Sequence, residues 1–204
     1  MRTARAKVRV RPVASDDFPR LAELFGARGA CGGCWCMAWR LGRAEWEAGR
    51  GAANKKRLAR LVRASERDVP PGVLALAGET AVGWCSVAPR ADFVALATKR
   101  SLATTWDERT WSVTCFFIAK DWRGRGLGRA LLAEAVRLAR RHGATRVEGY
   151  PALPPKKGGA LPSAFAWTGL PSVFEACGFT RLADAPGKRP IYVKSLARAR
   201  AARP

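Results

Sequence analysis

The stretch from Trp111 to Gly143 constrains this chain most. Trp111 to Ile118 carries apolar side chains on both alternating faces. Trp111, Val113, Cys115 and Phe117 fall on one side, Phe116 and Ile118 on the other. That pattern predicts a strand covered on both faces, hence a central one. Arg123-Gly124-Arg125-Gly126-Leu127-Gly128 follows closely. Leu127, Leu131 and Leu138, with Leu132, Val136 and Ala139, then fall at helical spacing, and Glu134, Arg137 and Arg141 lie opposite. A helix from Leu127 to His142 is expected, wet on that opposite side and stopped by Gly143.

A strand, a glycine-rich turn and a helix start together suit an anion. Glycine lets the backbone turn tightly and lets a ligand approach its amides. The first turn of a helix presents N–H groups with no partner in the helix and the positive end of its dipole. Arg123, Arg125 and Arg129 add positive charge at the same point, which suits a pyrophosphate. No Gly-Lys-Ser/Thr follows, so this is not a Walker-type loop. A dinucleotide fingerprint needs a parallel unit and an acid about 20 residues further on. Glu148 keeps that spacing open, while an antiparallel hairpin upstream argues against it.

The hairpin is read from Val73–Ala77 and Ala81–Ala88, separated by Gly78-Glu79-Thr80. Around it, strands are expected at Val8–Val13, Thr145–Tyr150, Phe179–Ala183 and Ile191–Leu196. Helices are expected after Ser15, a candidate N-cap, with Leu21, Leu24 and Phe25 as the apolar stripe. Further helices are expected from Ala53 to Arg67 and from Pro171 to Cys177, and more weakly from Phe93 to Ala103. Pro151 to Leu161 reads as a loop carrying Lys156 and Lys157. The order predicts an α/β (α+β) sandwich around one mostly antiparallel sheet, with a single domain over residues 1–196 and a basic, frayed tail over 197–204. The 204 residues and 48% hydrophobic content fit one domain of ordinary size.

Two of these motifs carry a family resemblance. Arg123-x-x-Gly126-x-Gly128 is similar to the Gln/Arg-x-x-Gly-x-Gly/Ala motif of the GNAT acetyltransferases. Phe174-Glu175-Ala176-Cys177-Gly178-Phe179 resembles that family's Tyr-x-x-x-Gly-Phe segment. Cys34-Trp35-Cys36-Met37 resembles a segment of an uncharacterised branch. The resemblance implies a splayed central sheet flanked by helices, and acetyl-CoA as acyl donor to an amine of unknown identity. It implies that backbone groups near Phe116, Phe117 and Ile118 meet the pantetheine arm. It also implies that amides across Gly124, Arg125, Gly126, Leu127, Gly128 and Arg129, with Arg123 beside them, hold the pyrophosphate. The family's tyrosine, a general acid toward the CoA sulfur, falls here on Phe174, which has no proton to give. Glu148 and Tyr150 share a strand face, so Glu148 is a candidate base and Tyr150 a candidate acid, with Ser172 as runner-up. Asp107 and Glu108, ahead of the central strand, are weaker carboxylate candidates.

Cys31-Gly32-Gly33-Cys34-Trp35-Cys36 offers three thiols, fewer than the four ligands zinc prefers, and the one histidine, His142, sits at a helix end. A redox pair is a second reading. The favoured one is a buried or substrate-lining loop in which Trp35, Met37 and Trp39 supply contact area. No metal is expected. The formal charge of +21, from 37 Lys and Arg against 16 Asp and Glu, favours polyanions. It leaves open a nucleic-acid-binding module, a fold that binds CoA without catalysis, or weak nonspecific nucleic-acid contact by an enzyme. No signal sequence or membrane span is legible, so a cytoplasmic protein, with a homodimer as one possible state, is expected.

Overall fold

The computed structural model describes residues 7–155, 161 and 166–196. Lys156, Lys157 and the tail 197–204 lie outside the described residues. Seven strands form one sheet: β1 (Val8–Pro12), β2 (Gly72–Ala77), β3 (Thr80–Pro89), β4 (Thr110–Ile118), β5 (Arg146–Gly149), β6 (Thr180–Arg181) and β7 (Tyr192–Ser195). The order is β1-β2-β3-β4-β5-β7-β6. The β4–β5 pair is parallel and every other pair is antiparallel. Among the described residues no helix is long and apolar enough to cross a membrane.

The parallel pair arises because helix α5 (Leu127–Arg141) carries the chain from the end of β4 back to its beginning. Its register runs only from Thr110↔Arg146 to Val113↔Gly149. Thr114 to Ile118 continue beyond the last pair, so β4 and β5 part there and leave one edge of β4 without a strand.

A bulge sits at the same place. Ser86 faces Cys115 and Val87 faces Val113, which leaves Thr114 as the extra residue. An extra residue shifts the pleat by one, and every later side chain changes face. Trp111 and Val113 therefore pack with Phe116 in the core under α5, whereas Cys115 and Phe117 pack on the opposite face. Uninterrupted alternation had put all four odd-numbered side chains together, and the bulge overturns that.

The second face is covered by α1 (Phe18–Phe25), α3 (Ala52–Arg63) and the cysteine loop. Leu21, Phe25, Leu58 and Val62 are buried there around Trp84, each contributing about 1.5–3 kcal/mol of apolar burial. Helix α1 starts at Asp17, not Ser15. The Asp17 carboxylate is fully buried, accepts the Ala14 N–H at 2.8 Å and pairs with Arg11. Ser15 instead bonds to Glu66. A short helix α2 (Arg43–Ala48) gives no periodic signal because Trp46 is its one large apolar residue, and α4 (Val94–Thr98) is shorter than the helix expected from Phe93 to Ala103. A final helix, α6 (Pro171–Glu175), leads to Gly178.

On α5, Glu134 lies buried where the sequence pattern placed a wet position. It is held by Arg137 at 2.7 Å and Arg141 at 2.9 Å. Both arginines sit one or two turns along the same helix, so they reach back over the carboxylate.

Candidate functional site

The parting of β4 and β5 opens a cleft of about 400 Å³. One wall is β4 itself, through Phe116, Phe117 and Ile118. Gly128 of α5, Arg123, and Leu170 with Val173 at α6 form the second. Ala30 and Cys31 close one end, and Ala166, Trp167 and Gly169 form a third wall.

The glycine turn lies where the cleft meets α5. Gly124 and Gly126 adopt φ of 72° and 81°, the left-handed region. A Cβ at either would meet nothing within 4 Å, so glycine is favoured there by φ, and the turn faces open space. Gly126 caps α5 without any side-chain hydrogen bond to the first-turn amides. The N–H groups of Leu127 and Gly128 thus have no carbonyl of a preceding turn to reach. Leu127 buries its side chain and offers only its amide. Arg125 lies over the Trp122 ring at 5.2 Å, and Arg123 donates from Nε to the Ile118 carbonyl at 3.0 Å. Arg129 is exposed on the helix.

The three β4 residues play different parts. The Ala119 amide bonds to Val82 across β3. By strand alternation the Phe117 amide also faces β3, and those of Phe116 and Ile118 face the open edge. Phe117 therefore lends its ring to the cleft, not its N–H. The Phe116 N–H is already donated to the Trp167 carbonyl at 2.6 Å. Trp167 carries no motif, and the sequence offered no signal for its place in this wall.

Glu148 and Tyr150 are brought together, as their shared face implied, but away from the cleft lining. Both are 0% exposed. Glu148 accepts from Arg90 Nε (3.2 Å), Thr104 Oγ1 (3.1 Å) and the Tyr150 hydroxyl (2.9 Å), and pairs with Arg146 at 2.8 Å. Tyr150 shares a 2.9 Å hydrogen bond with Ser112 and is stacked under Trp39, ring centroids 5.7 Å apart. Burial and the Glu148 charge raise its pKa strongly. Each polar atom is already committed to this network, an arrangement that differs from a base and acid facing an acceptor. Ser172 is exposed on α6 and does not line the cleft. Phe174 is fully buried against Phe116 and Phe179, and Gly149 makes room for its ring, since a Cβ there would stand 2.0 Å from Phe174 Cε1. Asp107 ties the turn before β4, accepting from Thr110 and the Arg109 amide.

The cysteine loop divides between surface and core. Cys31 is exposed at the cleft end. Burial pushes the Cys34 thiol up to about 11. Cys36 is buried, 3.5 Å from Cys115 by sulfur-to-sulfur distance, and accepts the Trp84 indole N–H at 3.2 Å. Trp35, Met37 and Trp39 are each at most 3% exposed, so they are core rather than contact surface. Trp35 and Cys36 hold φ of 46° and 54°, a strained conformation for such side chains. Among the described residues no cluster of three or more His, Cys, Asp or Glu is placed to hold a metal.

Comparison with known proteins agrees with this architecture. No curated protein sequence matches the chain. Solved structures do. A PaiA N-acetyltransferase from Thermoplasma acidophilum in complex with coenzyme A superposes with a TM-score of 0.54 at 16% identity, covering 93% of this chain and 99% of that one. A phosphinothricin acetyltransferase from Sinorhizobium meliloti in complex with acetyl-CoA gives 0.51 at 18%, covering 97% and 92%. A ribosomal-protein-alanine N-acetyltransferase from Brucella melitensis gives 0.52 at 17%, covering 92% and 99%. At these identities the likeness is one of fold. The profile of the acetyltransferase (GNAT) family matches residues 36–151, from the cysteine loop through β4, the glycine turn, α5 and β5. With more than half of its length inside that match, and its sheet splayed beside the glycine turn, the chain belongs to the GNAT acetyltransferase family.

Proposed function

We propose that the protein transfers the acetyl group of acetyl-CoA to an amine by direct attack on the thioester. The observation that carries this reading is the cleft itself, which runs from the open edge of β4 to Arg123 and to Gly128 in the first turn of α5. In this reading the pyrophosphate meets the amides of Gly124 to Arg129 with Arg123 beside them, and the pantetheine arm lies along Phe116 to Ile118. The Phe116 amide becomes available when the Trp167 carbonyl yields it. Relatives of the same fold hold CoA or acetyl-CoA, which supports the donor.

An attacking amine must be neutral, and a lysine-like amine titrates near about 10.4. A thiolate is a tolerable leaving group because a free thiol titrates near about 8.5. An open-edge amide of β4 meets the developing oxyanion, the kind of contact that lowers such barriers most. Glu148 and Tyr150 act in this reading as positioning groups that lock β5 against β4 and Arg90, leaving proton removal to water in the cleft. The +21 charge supports weak, salt-sensitive contact with nucleic acid and is not needed for the chemistry.

Thermal unfolding tests the donor site. Acetyl-CoA should raise the midpoint of the wild type, since a ligand that binds only the folded state stabilises it. Gly126→Glu places a side chain at left-handed φ and a negative charge where phosphate must approach. It should abolish the shift, and an unchanged shift would overturn the assignment.

A further inference from the structure

Beside Trp167 lies a group of side chains that the transfer reading does not use. The Trp39 ring sits 5.9 Å from that of Trp167, centroid to centroid. The Lys99 ammonium lies 4.3 Å from the Trp39 ring centroid. Arg189 reaches the hydroxyl of Thr168, the residue after Trp167, at 3.4 Å. Four segments distant in sequence thus deliver an aromatic pair and two cations to one place beside the cleft wall.

These cations differ from three arginines that the fold holds against acids. Arg11, Arg40 and Arg90 each face a carboxylate, Asp17, Asp92 and Glu148 respectively. Among the described residues no carboxylate pairs with Lys99 or Arg189. Burial and the Arg189 charge lower the Lys99 pKa, and burial lowers that of Arg189. Lys99 is exposed and Arg189 half-buried, and two like charges near one another with no acid between them favour an anion beside them. A second orphan adjoins them. Among the described residues Trp39 Nε1 is buried and has no hydrogen-bond partner, so it lacks the acceptor that buried donors ordinarily find.

We propose that Lys99 and Arg189, with the Trp39 and Trp167 rings, form a subsite for a carboxylate on the acceptor, so that the amine acetylated belongs to a molecule bearing an apolar or aromatic body and an acid group. The inference rests on the transferase reading for its word "acceptor", but the anion site itself stands on its own residues. Guanidinium and ammonium donors make charge-assisted bonds to carboxylate, the strong class of hydrogen bond. The Trp167 ring, 36% exposed, supplies flat apolar area for the body of the ligand, with the buried Trp39 beside it.

The test uses 3-phenylpropionate and its uncharged amide as probes, titrated by tryptophan fluorescence and by isothermal calorimetry. The wild type should bind the carboxylate and bind the amide at least about tenfold more weakly, the least expected for losing a charge-assisted bond. Lys99→Ala and Arg189→Gln should each weaken carboxylate binding by about tenfold or more and leave the acetyl-CoA thermal shift unchanged. The conservative Arg189→Lys should restore part of the binding. Equal affinity for acid and amide, carboxylate binding unaltered in both variants, or no carboxylate binding by the wild type each overturns the proposal. Failure of acetyl-CoA to shift the midpoint while the carboxylate still binds would overturn the transferase reading instead.

Discussion

Replacing Glu148 by glutamine separates a structural from a catalytic role for the buried carboxylate. The side chain keeps its shape, so no cavity forms. What changes is charge. Arg90, 2% exposed, loses its counter-ion, and the new amide group must turn a donor toward Arg90, Arg146 or the Tyr150 hydroxyl. Arg146 is 27% exposed and can turn to water, but Arg90 cannot. Breaking a buried ion pair from one side costs about 3–5 kcal/mol. For a domain of this size each kcal/mol moves the midpoint by about 2–4 °C, so Glu148→Gln should lower it by about 6–20 °C. The double variant Arg90→Met with Glu148→Met removes both charges and should recover much of the loss. Differential scanning calorimetry at neutral pH reads all three proteins. A glutamine variant within about 2 °C of wild type, which is below the smallest drop derived from the pair, would refute the reasoning. Retained stability with lost turnover and a changed pH–rate profile would return Glu148 to the role of base.

Other expectations follow from the same contacts. Burial alone would raise the Asp17 pKa, but hydrogen bonds from Arg11 and the Ala14 amide, with the charges of Arg11 and Arg20, hold it below the ordinary carboxylate value. Its contribution to stability is therefore full above about pH 4 and lost as pH falls through the lower folded value. Urea midpoints of Asp17→Asn should be lower at pH 7 and fall less steeply in acid, and an unchanged acid slope would contradict this. Iodoacetamide should label exposed Cys31 well before Cys34, whose thiol is pushed up to about 11, and before the buried Cys36, Cys85 and Cys115. Peptide mapping that finds Cys36 modified first would contradict the burial order. Gly149→Ala drives a methyl group into the Phe174 ring, so it should lose about 1–3 kcal/mol or more, and Phe174→Leu should relieve part of that in urea titrations.

Local patterns in the sequence foretold much of this molecule. The apolar run of β4, the glycine turn, the α5 stripe and the β2–β3 hairpin are consequences of residue type at short range, and steric preference and burial periodicity act at that range. The family resemblance rested on the same stretch, as did the expectation of a donor site at Gly124 to Arg129. Other features were not legible there. Thr114 carries no mark of a bulge, because the extra residue is defined by its partner on β3. Glu134 reads as a wet-face carboxylate and Glu148 as a candidate base until Arg137, Arg141, Arg90 and Arg146 close over them, and the partners from other elements are set by packing. Trp167, Lys99 and Arg189 belong to segments with no motif and meet only because the chain after β5, the β6–β7 connection and the turn after β3 converge at one end of the sheet. The sequence by itself determined most of the strands and helices and the glycine turn at the start of α5. Only the tertiary structure decided which charges are neutralised, because pairing depends on distances between residues far apart in the chain.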